Sequence, residues 1–225
     1  MKTQDKKNIF DFTLVLSLFW FILPIFFIVT ILIKRQSPGP AFFRQYRVGL
    51  NEQLFRIYKF RTMVINAEKL GTSVTTRHDA RITPVGKILR KTKLDEIPQL
   101  LNVLKGDMSL VGPRPEVPEI VEKYTNDMRR IFMVKPGITS LATLHLVDEE
   151  RILSQVANPD VFYEEVLVPI KVRLATEHVE QNSFGFDLKI LLQTLWMLTL
   201  GRWWPIPEHN LINELRQEIK RNQIS

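Results

Sequence analysis

Asp95 and Glu96 stand side by side in TKLDEIPQLLNVLKGDMSLVGPRPE, residues 92–116 of the chain. Adjacent carboxylates offer hard oxygen ligands to Mg²⁺, and an ionised aspartate can itself attack phosphorus. Their surroundings are cationic. Arg77, Arg81, Lys87, Arg90, Lys91 and Lys93 precede the pair, and Val111-Gly112-Pro113-Arg114-Pro115 follows it. Guanidinium groups grip phosphate oxygens bidentately, and Gly112 with Pro113 and Pro115 on either side of Arg114 would hold that arginine on a stiff, closely approaching loop. An acidic pair in a first helical turn also serves as simple capping, and a single arginine as a solvated surface group. Carboxylates and arginines together point to chemistry on a phosphate ester, where positioning and charge neutralisation carry most of the catalysis.

The elements that must position these groups follow from local pattern. Ile97, Leu100, Leu101 and Leu104 recur with helical period, Pro98 falls in the first turn, and Gly106 suits a C-terminal cap. This predicts a helix with Asp95 and Glu96 at its N-terminus, where the macrodipole favours ionised carboxylates. Upstream, Thr83-Pro84-Val85-Gly86 leads into a basic helix at 87–91, and residues 65–70 read as a short helix. Residues 41–46 and 54–60 alternate and are rich in aromatics around Val48-Gly49-Leu50-Asn51, which predicts a β-hairpin.

Residues 12–33 form an uncharged run of 22 residues with Pro24 near its middle. About 20 apolar residues suffice to cross the hydrocarbon core. Lys2, Lys6 and Lys7 precede the run and Lys34, Arg35, Arg44 and Arg47 follow it, and positive residues are held on the cytoplasmic side. Two readings stand: a kinked single span, or a re-entrant helix-break-helix hairpin entering and leaving by the same face. In the hairpin, Pro24 breaks the helix, with Ser17 and Thr13 as partners for freed backbone groups. A cleaved signal peptide is disfavoured, because no small-x-small site follows. The organisation expected is a membrane-embedded re-entrant helix-break-helix hairpin at 1–36 and one cytoplasmic domain at 37–225, α+β in class and mostly helical. Residues 188–204, with Trp196, Trp203 and Trp204, fit either a membrane-interface helix or a core helix. Residues 210–225 read as an amphipathic surface helix.

Composition narrows the chemistry. The net charge of +7 and absence of cysteine suit an anionic leaflet or phosphorylated substrates and exclude disulfides, thiolate nucleophiles and Cys-ligated zinc. His78, His145, His178 and His209 lack metal-ligand spacing. The same basicity admits a non-catalytic protein that binds anionic lipid or nucleic acid at a membrane surface.

Several long motifs in order carry a resemblance: the proline-containing apolar segment, SPGPAFFRQYRVG at 37–49, FRIYKFRTM at 55–63, residues 79–116, KPGIT at 135–139 and SFGFDLKILLQT at 183–194. The chain resembles the small, monotopic phosphoglycosyltransferases, the bacterial sugar transferases, from about residue 10 to 200. The resemblance implies transfer of a sugar 1-phosphate from a UDP-sugar to a membrane polyprenyl (undecaprenyl) phosphate, with release of UMP. Mg²⁺ is the cofactor it implies, the bacterial inner membrane the location, and lipid-linked exopolysaccharide, capsule or O-antigen the pathway. No nucleic-acid partner belongs to this reading, and self-association is left open. Residue by residue, Asp95 becomes the nucleophile of a covalent phosphosugar intermediate and Glu96 its partner at the metal. Arg90 and Arg114 match phosphate- or nucleotide-contacting positions, and Lys59 and Arg61 are further candidates. The chain departs from the family pattern at Leu23-Pro24, where relatives often have Ser-Pro. After Thr139 it reads SLATLHLVDEERIL where many relatives carry glycines and an arginine, and Ala175 to His178 replace an Asp-x-Tyr-Tyr. Asp187 is expected as a helix cap.

Overall fold

The computed structural model describes residues 3–72, 74–77, 79–181, 183–199 and 209–224. His78, Trp203 and Trp204, named above, lie outside the described residues. The apolar N-terminal segment is one helix, α1 (Thr3–Gln36), and helical geometry runs through Pro24 rather than leaving the helix there. Ser17 Oγ donates to the Thr13 carbonyl at 2.8 Å, bonding back along its own turn. It does not serve a group freed by the proline.

Both ends of α1 dock on the globular part. Near the start, Lys7 Nζ donates to the Val111 carbonyl at 2.8 Å and pairs with Asp187 Oδ2 at 2.6 Å. Asp11 accepts from Ser109 Oγ at 2.5 Å and from the Leu110 amide at 3.2 Å, and Val15 enters the main core. Asp187 is therefore the partner of Lys7; the adjacent cap is Ser183, whose Oγ accepts from the Phe186 amide at 3.3 Å. Near the other end, Val29 and Ile33 pack with Ala41, Phe60 and Leu89, and Phe26 lies against Phe42 and Phe60 at 6.1 and 5.2 Å between ring centroids. Between these docks Trp20 and Phe21 are 76% and 77% exposed, and Phe27 and Ile28 are exposed as well.

The expected hairpin forms. Strands β1 (Phe42–Val48) and β2 (Leu54–Phe60) pair antiparallel from Phe42↔Phe60 to Val48↔Leu54. One face carries Arg44, Tyr46, Arg56 and Tyr58, while Arg47, Phe55, Ile57 and Lys59 point the other way, as the period of two requires. A 3-10 turn at Ala67–Lys69 takes the place of the short helix expected at 65–70. Helix α2 (Pro84–Lys91) is capped by Thr83, whose hydroxyl accepts from the Gly86 amide. The dyad segment is a 3-10 turn, Leu94–Gln99, running into α3 (Leu100–Lys105), with Gly106 at φ +83° closing it in the left-handed region.

Beyond α3 the chain forms a parallel pair that no local pattern foretells: β3 (Ser109–Val111) beside β4 (Gly137–Thr139). Short helices α4 (Pro118–Val121), α5 (Leu141–His145), α6 (Glu149–Leu153) and α7 (Pro159–Phe162) follow, then a π-helical turn, Tyr163–Leu167, that continues into α8 (Val168–Gln181). Helix α9 (Phe184–Thr199) buries Ile190 but leaves Leu192, Leu195, Trp196 and Leu198 exposed. It thus has one face in the core and one apolar face outside. Helix α10 (Asn210–Ile224) is more than a charged surface tail, because Leu211, Ile212 and Leu215 enter the main core. The fold is α+β and mostly helical, as expected.

The β3–β4 pair explains why its motifs contain glycine. A Cβ on Gly137 would lie 2.0 Å from the Gly112 amide nitrogen and 2.6 Å from the Thr139 carbonyl oxygen, all rigid backbone. Gly137→Ala should therefore cost on the order of 1–3 kcal/mol by forcing the strands apart. Thermal unfolding followed by tryptophan fluorescence checks this, and an unchanged midpoint would mean the strands can separate freely.

Candidate active site

The dyad owes its position to a chain reversal before it and a buried asparagine after it. Lys93 adopts φ +56° and starts the 3-10 turn that carries Asp95 and Glu96. Asn102, fully buried on α3, donates to the Arg56 carbonyl at 2.7 Å and accepts from the Tyr58 amide at 3.0 Å. Those bonds lock α3 to β2, so that Lys59 on β2 meets Glu96. The opposite wall comes from the loop after β3. The Gly112 amide donates to the Thr139 carbonyl at 3.0 Å, and the Gly137 amide to the Pro113 carbonyl at 2.9 Å. This holds Gly112-Pro113-Arg114 against β4.

Glu96 is gripped from both sides. Its Oε1 accepts from Lys59 Nζ at 2.9 Å and from Arg114 Nη2 at 2.6 Å, and its Oε2 from Arg114 Nη1 at 3.2 Å. Burial alone would push its proton affinity up, but Arg114 and Lys59 override this and hold Glu96 well below the usual carboxylate range. Asp95 is in a different state. It is 8% exposed, and its Oδ1 is buried without a hydrogen-bond partner. Burial first, and then the charge of Glu96, raise its pKa above the ordinary 3.8, against the pull of Lys59, Arg90 and Lys93. Two adjacent carboxylates are thus driven apart, one locked as an anion and one poised with an unused oxygen, the arrangement that marks groups with different chemical tasks.

The other candidates divide. Arg90, at the end of α2, donates from Nε to Thr62 Oγ1 at 2.9 Å and from Nη1 to Glu150 Oε1 at 2.5 Å. Its charge reaches Asp95, but the two make no ion pair. Arg61 is turned elsewhere: its guanidinium binds the Pro38 carbonyl at 2.7 Å, the Ser37 carbonyl at 3.0 Å and Ser37 Oγ at 2.7 Å. There it fastens the turn after α1 to the end of β2.

Sequence reasoning missed a second polar layer behind Arg114. Glu116 accepts from Tyr163 OH at 2.9 Å and pairs with Lys171 at 3.0 Å and Arg47 at 3.7 Å. Lys171 also reaches Glu149 at 3.3 Å. Glu116 ends the PRPE motif, a signal that was in hand; Lys171, Tyr163 and Glu149 had none, because they lie on α8, on the π-helical turn and in the divergent tract. Among the described residues no three histidine or acidic side chains gather to hold a metal ion.

The charge state of Asp95 has a consequence for stability. A carboxyl whose folded pKa is raised contributes stability below its unfolded pKa, which is lost as pH rises through the folded value. At neutral pH ionised Asp95 is therefore a burden, and Asp95→Asn should raise the unfolding midpoint at pH 7. The gain should shrink as the pH falls toward 3.8 and below. A variant less stable than wild type at pH 7 would contradict the assignment of a strained carboxylate.

Comparison with known proteins places this geometry. Residues 2–201 match the family model for bacterial sugar transferases. An uncharacterized sugar transferase of Bacillus subtilis, EpsL, is 35% identical over 189 residues, covering 84% of this chain and 85% of that protein. A UDP-glucose:undecaprenyl-phosphate glucose-1-phosphate transferase of Caulobacter vibrioides is 36% identical over 194 residues, covering 84% of this chain and 68% of that protein. The galactosyl transferase CpsE of Streptococcus agalactiae is 39% identical over 178 residues, covering 74% of this chain but 36% of its own length. The chain thus spans about a third of the streptococcal relative.

Proposed function

The chain belongs to the bacterial sugar transferases, and from that premise we propose that it moves a sugar 1-phosphate from a UDP-sugar to a polyprenyl phosphate, starting a lipid-linked glycan. The observation that carries the reading is the contrast within the dyad: Glu96 held by Lys59 and Arg114, and Asp95 buried beside it with Oδ1 unpartnered. Asp95 attacks the phosphorus that bears the sugar. The bond from that phosphorus to the bridging oxygen breaks, UMP departs with the bond's electrons, and the sugar phosphate is left on the aspartate. A phosphate oxygen of the polyprenyl acceptor then attacks the same phosphorus and frees Asp95. The raised proton affinity of Asp95 makes it the more nucleophilic carboxylate. Arg114 and Lys59 orient Glu96 and supply positive charge where the diphosphate must sit. Against a simple basic binding surface, these cations turn inward onto carboxylates.

Mg²⁺ fits the donor set in part. Asp95 Oδ1 is an unused hard oxygen and Glu96 supplies a second carboxylate; Mg²⁺ is commonly held by one or two carboxylates, with waters and substrate phosphates completing its shell. Bound there, the ion would neutralise charge on the diphosphate.

We further propose that α1 enters and leaves the cytoplasmic leaflet by the same face. From Lys7 to Ile33 a straight helix would rise about 39 Å at 1.5 Å per residue, yet both positions dock on one globular domain. A helix emerging on the far side of a core about 30 Å thick would carry Lys7 away from Val111 and Asp187. The stretch around Pro24, where Trp20, Phe21, Phe27 and Ile28 are exposed, is the part that dips into lipid.

Two experiments test these readings. Incubated with UDP-sugar and Mg²⁺ but no lipid acceptor, the protein should release UMP and gain a sugar phosphate detectable by intact-protein mass spectrometry. Asp95→Asn should lose both, and an adduct persisting in that variant would remove Asp95 from the nucleophile's role. For topology, the chain has no native cysteine, so Thr3→Cys gives a single label site. It should resist an impermeant thiol reagent in intact cells and react after lysis; labelling without lysis would establish a spanning helix.

A further inference from the structure

Most cations around the dyad hold a carboxylate already; exposed Lys93 is outside these pairs. Lys59 and Arg114 pair with Glu96, Arg47 with Glu116, Lys171 with Glu116 and Glu149, and Arg90 with Glu150. A diphosphate arriving at this site brings about two further negative charges and needs cations that are free to receive them. A carboxylate that yields would free further positive charge for it, and burial shows which is held most loosely. The side chains of Glu96 and Glu116 are 13% and 8% exposed, whereas those of Glu149 and Glu150 are 28% and 34% exposed. The last two are neighbours at the start of the five-residue α6, and they reach in different directions, Glu150 to Arg90 and Glu149 to Lys171. The charge of Glu149 is also felt at Arg114. Ion pairs this open to water are weak and exchange readily, while breaking a buried one strands a charge.

We propose that Glu149 and Glu150 are an internal stand-in for the donor's diphosphate: they hold the phosphate-binding cations in the unliganded protein, and the first turn of α6 is displaced when the nucleoside diphosphate binds. This rests on the phosphosugar-transfer reading above. It gives the divergent tract after Thr139 a function, which is to set how tightly the donor is held. It does so by competition rather than by contact. Leu153 is fully buried and Ile152 packs on the core, so the movement that costs least is a swing of the first turn of α6, which carries Glu149 and Glu150 and is tied by the Arg77 amide to the Glu150 carbonyl at 3.2 Å and to Ser154 Oγ at 3.0 Å.

The test uses the full chain in detergent or nanodiscs with Mg²⁺, and UDP and uridine as probes in calorimetry. Glu150→Gln should tighten UDP binding by roughly two- to fivefold, the scale of one partly exposed ion pair, and the Glu149→Gln/Glu150→Gln double variant should tighten it further. Uridine, which has no phosphate, should bind the variants as it binds wild type. In the wild-type protein, UDP should speed amide hydrogen exchange at Arg151 and Ile152, whose amides bond to the Asp148 carbonyl within α6. This second readout needs no substitution. UDP binding that is unchanged or weaker in both variants, or exchange in α6 that UDP slows or leaves alone, overturns the inference while sugar transfer stands. A wild-type protein that neither binds UDP nor releases UMP overturns the transfer reading and this inference together.

Discussion

One carboxylate organises the site. Glu96 sits between Lys59 and Arg114, and those three residues come from β2, from the turn before α3 and from the loop after β3. Taking three charges out of water is costly, and the attraction between them repays it only if all are present in good geometry. If Glu96 is misplaced, Lys59 and Arg114 are left as two facing cations; if either cation is misplaced, Glu96 keeps one partner and loses half of its grip. This couples the hairpin, the dyad turn and the Pro-Arg-Pro loop more tightly than their apolar contacts would, and it fixes the place of Asp95, which follows Glu96 as its chain neighbour.

The scaffold beneath is built from backbone approaching backbone. Gly112 and Gly137 let β3 and β4 come close enough to hold the arginine loop. Gly86 does the same for α2, where a Cβ would lie 2.0 Å from the Thr62 carbonyl oxygen. That contact sets Thr62, and through it Arg90, beside the dyad. Asn102 supplies what glycine cannot, a side chain that imitates a strand partner for β2. The loops of the site are rigid because each is tied to an element by main-chain hydrogen bonds.

What could be read in the sequence was what repeats locally. The period of Ile97, Leu100, Leu101 and Leu104 gave the dyad helix, though its first turn is 3-10, and the alternation in 54–60 gave β2. The dyad and Arg114 stood out by residue type and spacing. Long-range polar pairing has no period and stayed hidden. Asp187 looked like a cap because its partner Lys7 is nearly the whole chain away. The two three-residue strands were too short to show a pattern, and Glu149 and Glu150 looked like an ordinary acidic helix start. The family resemblance makes Arg61 a candidate beside Lys59, yet Arg61 faces Ser37.

The docking of α1 also bears on how the protein is made. Lys7 is translated 104 residues before Val111, and Asp187 comes later still. At synthesis rates of about 5–20 residues per second, the first of these partners appears some 5–20 seconds after the lysine. During that interval Lys7 and Asp11 are without the partners that bury them in the folded protein. Assembly must then close from the ends inward, the start of the chain being captured by segments translated long after it. Until then α1 is an apolar helix whose protein partners do not yet exist.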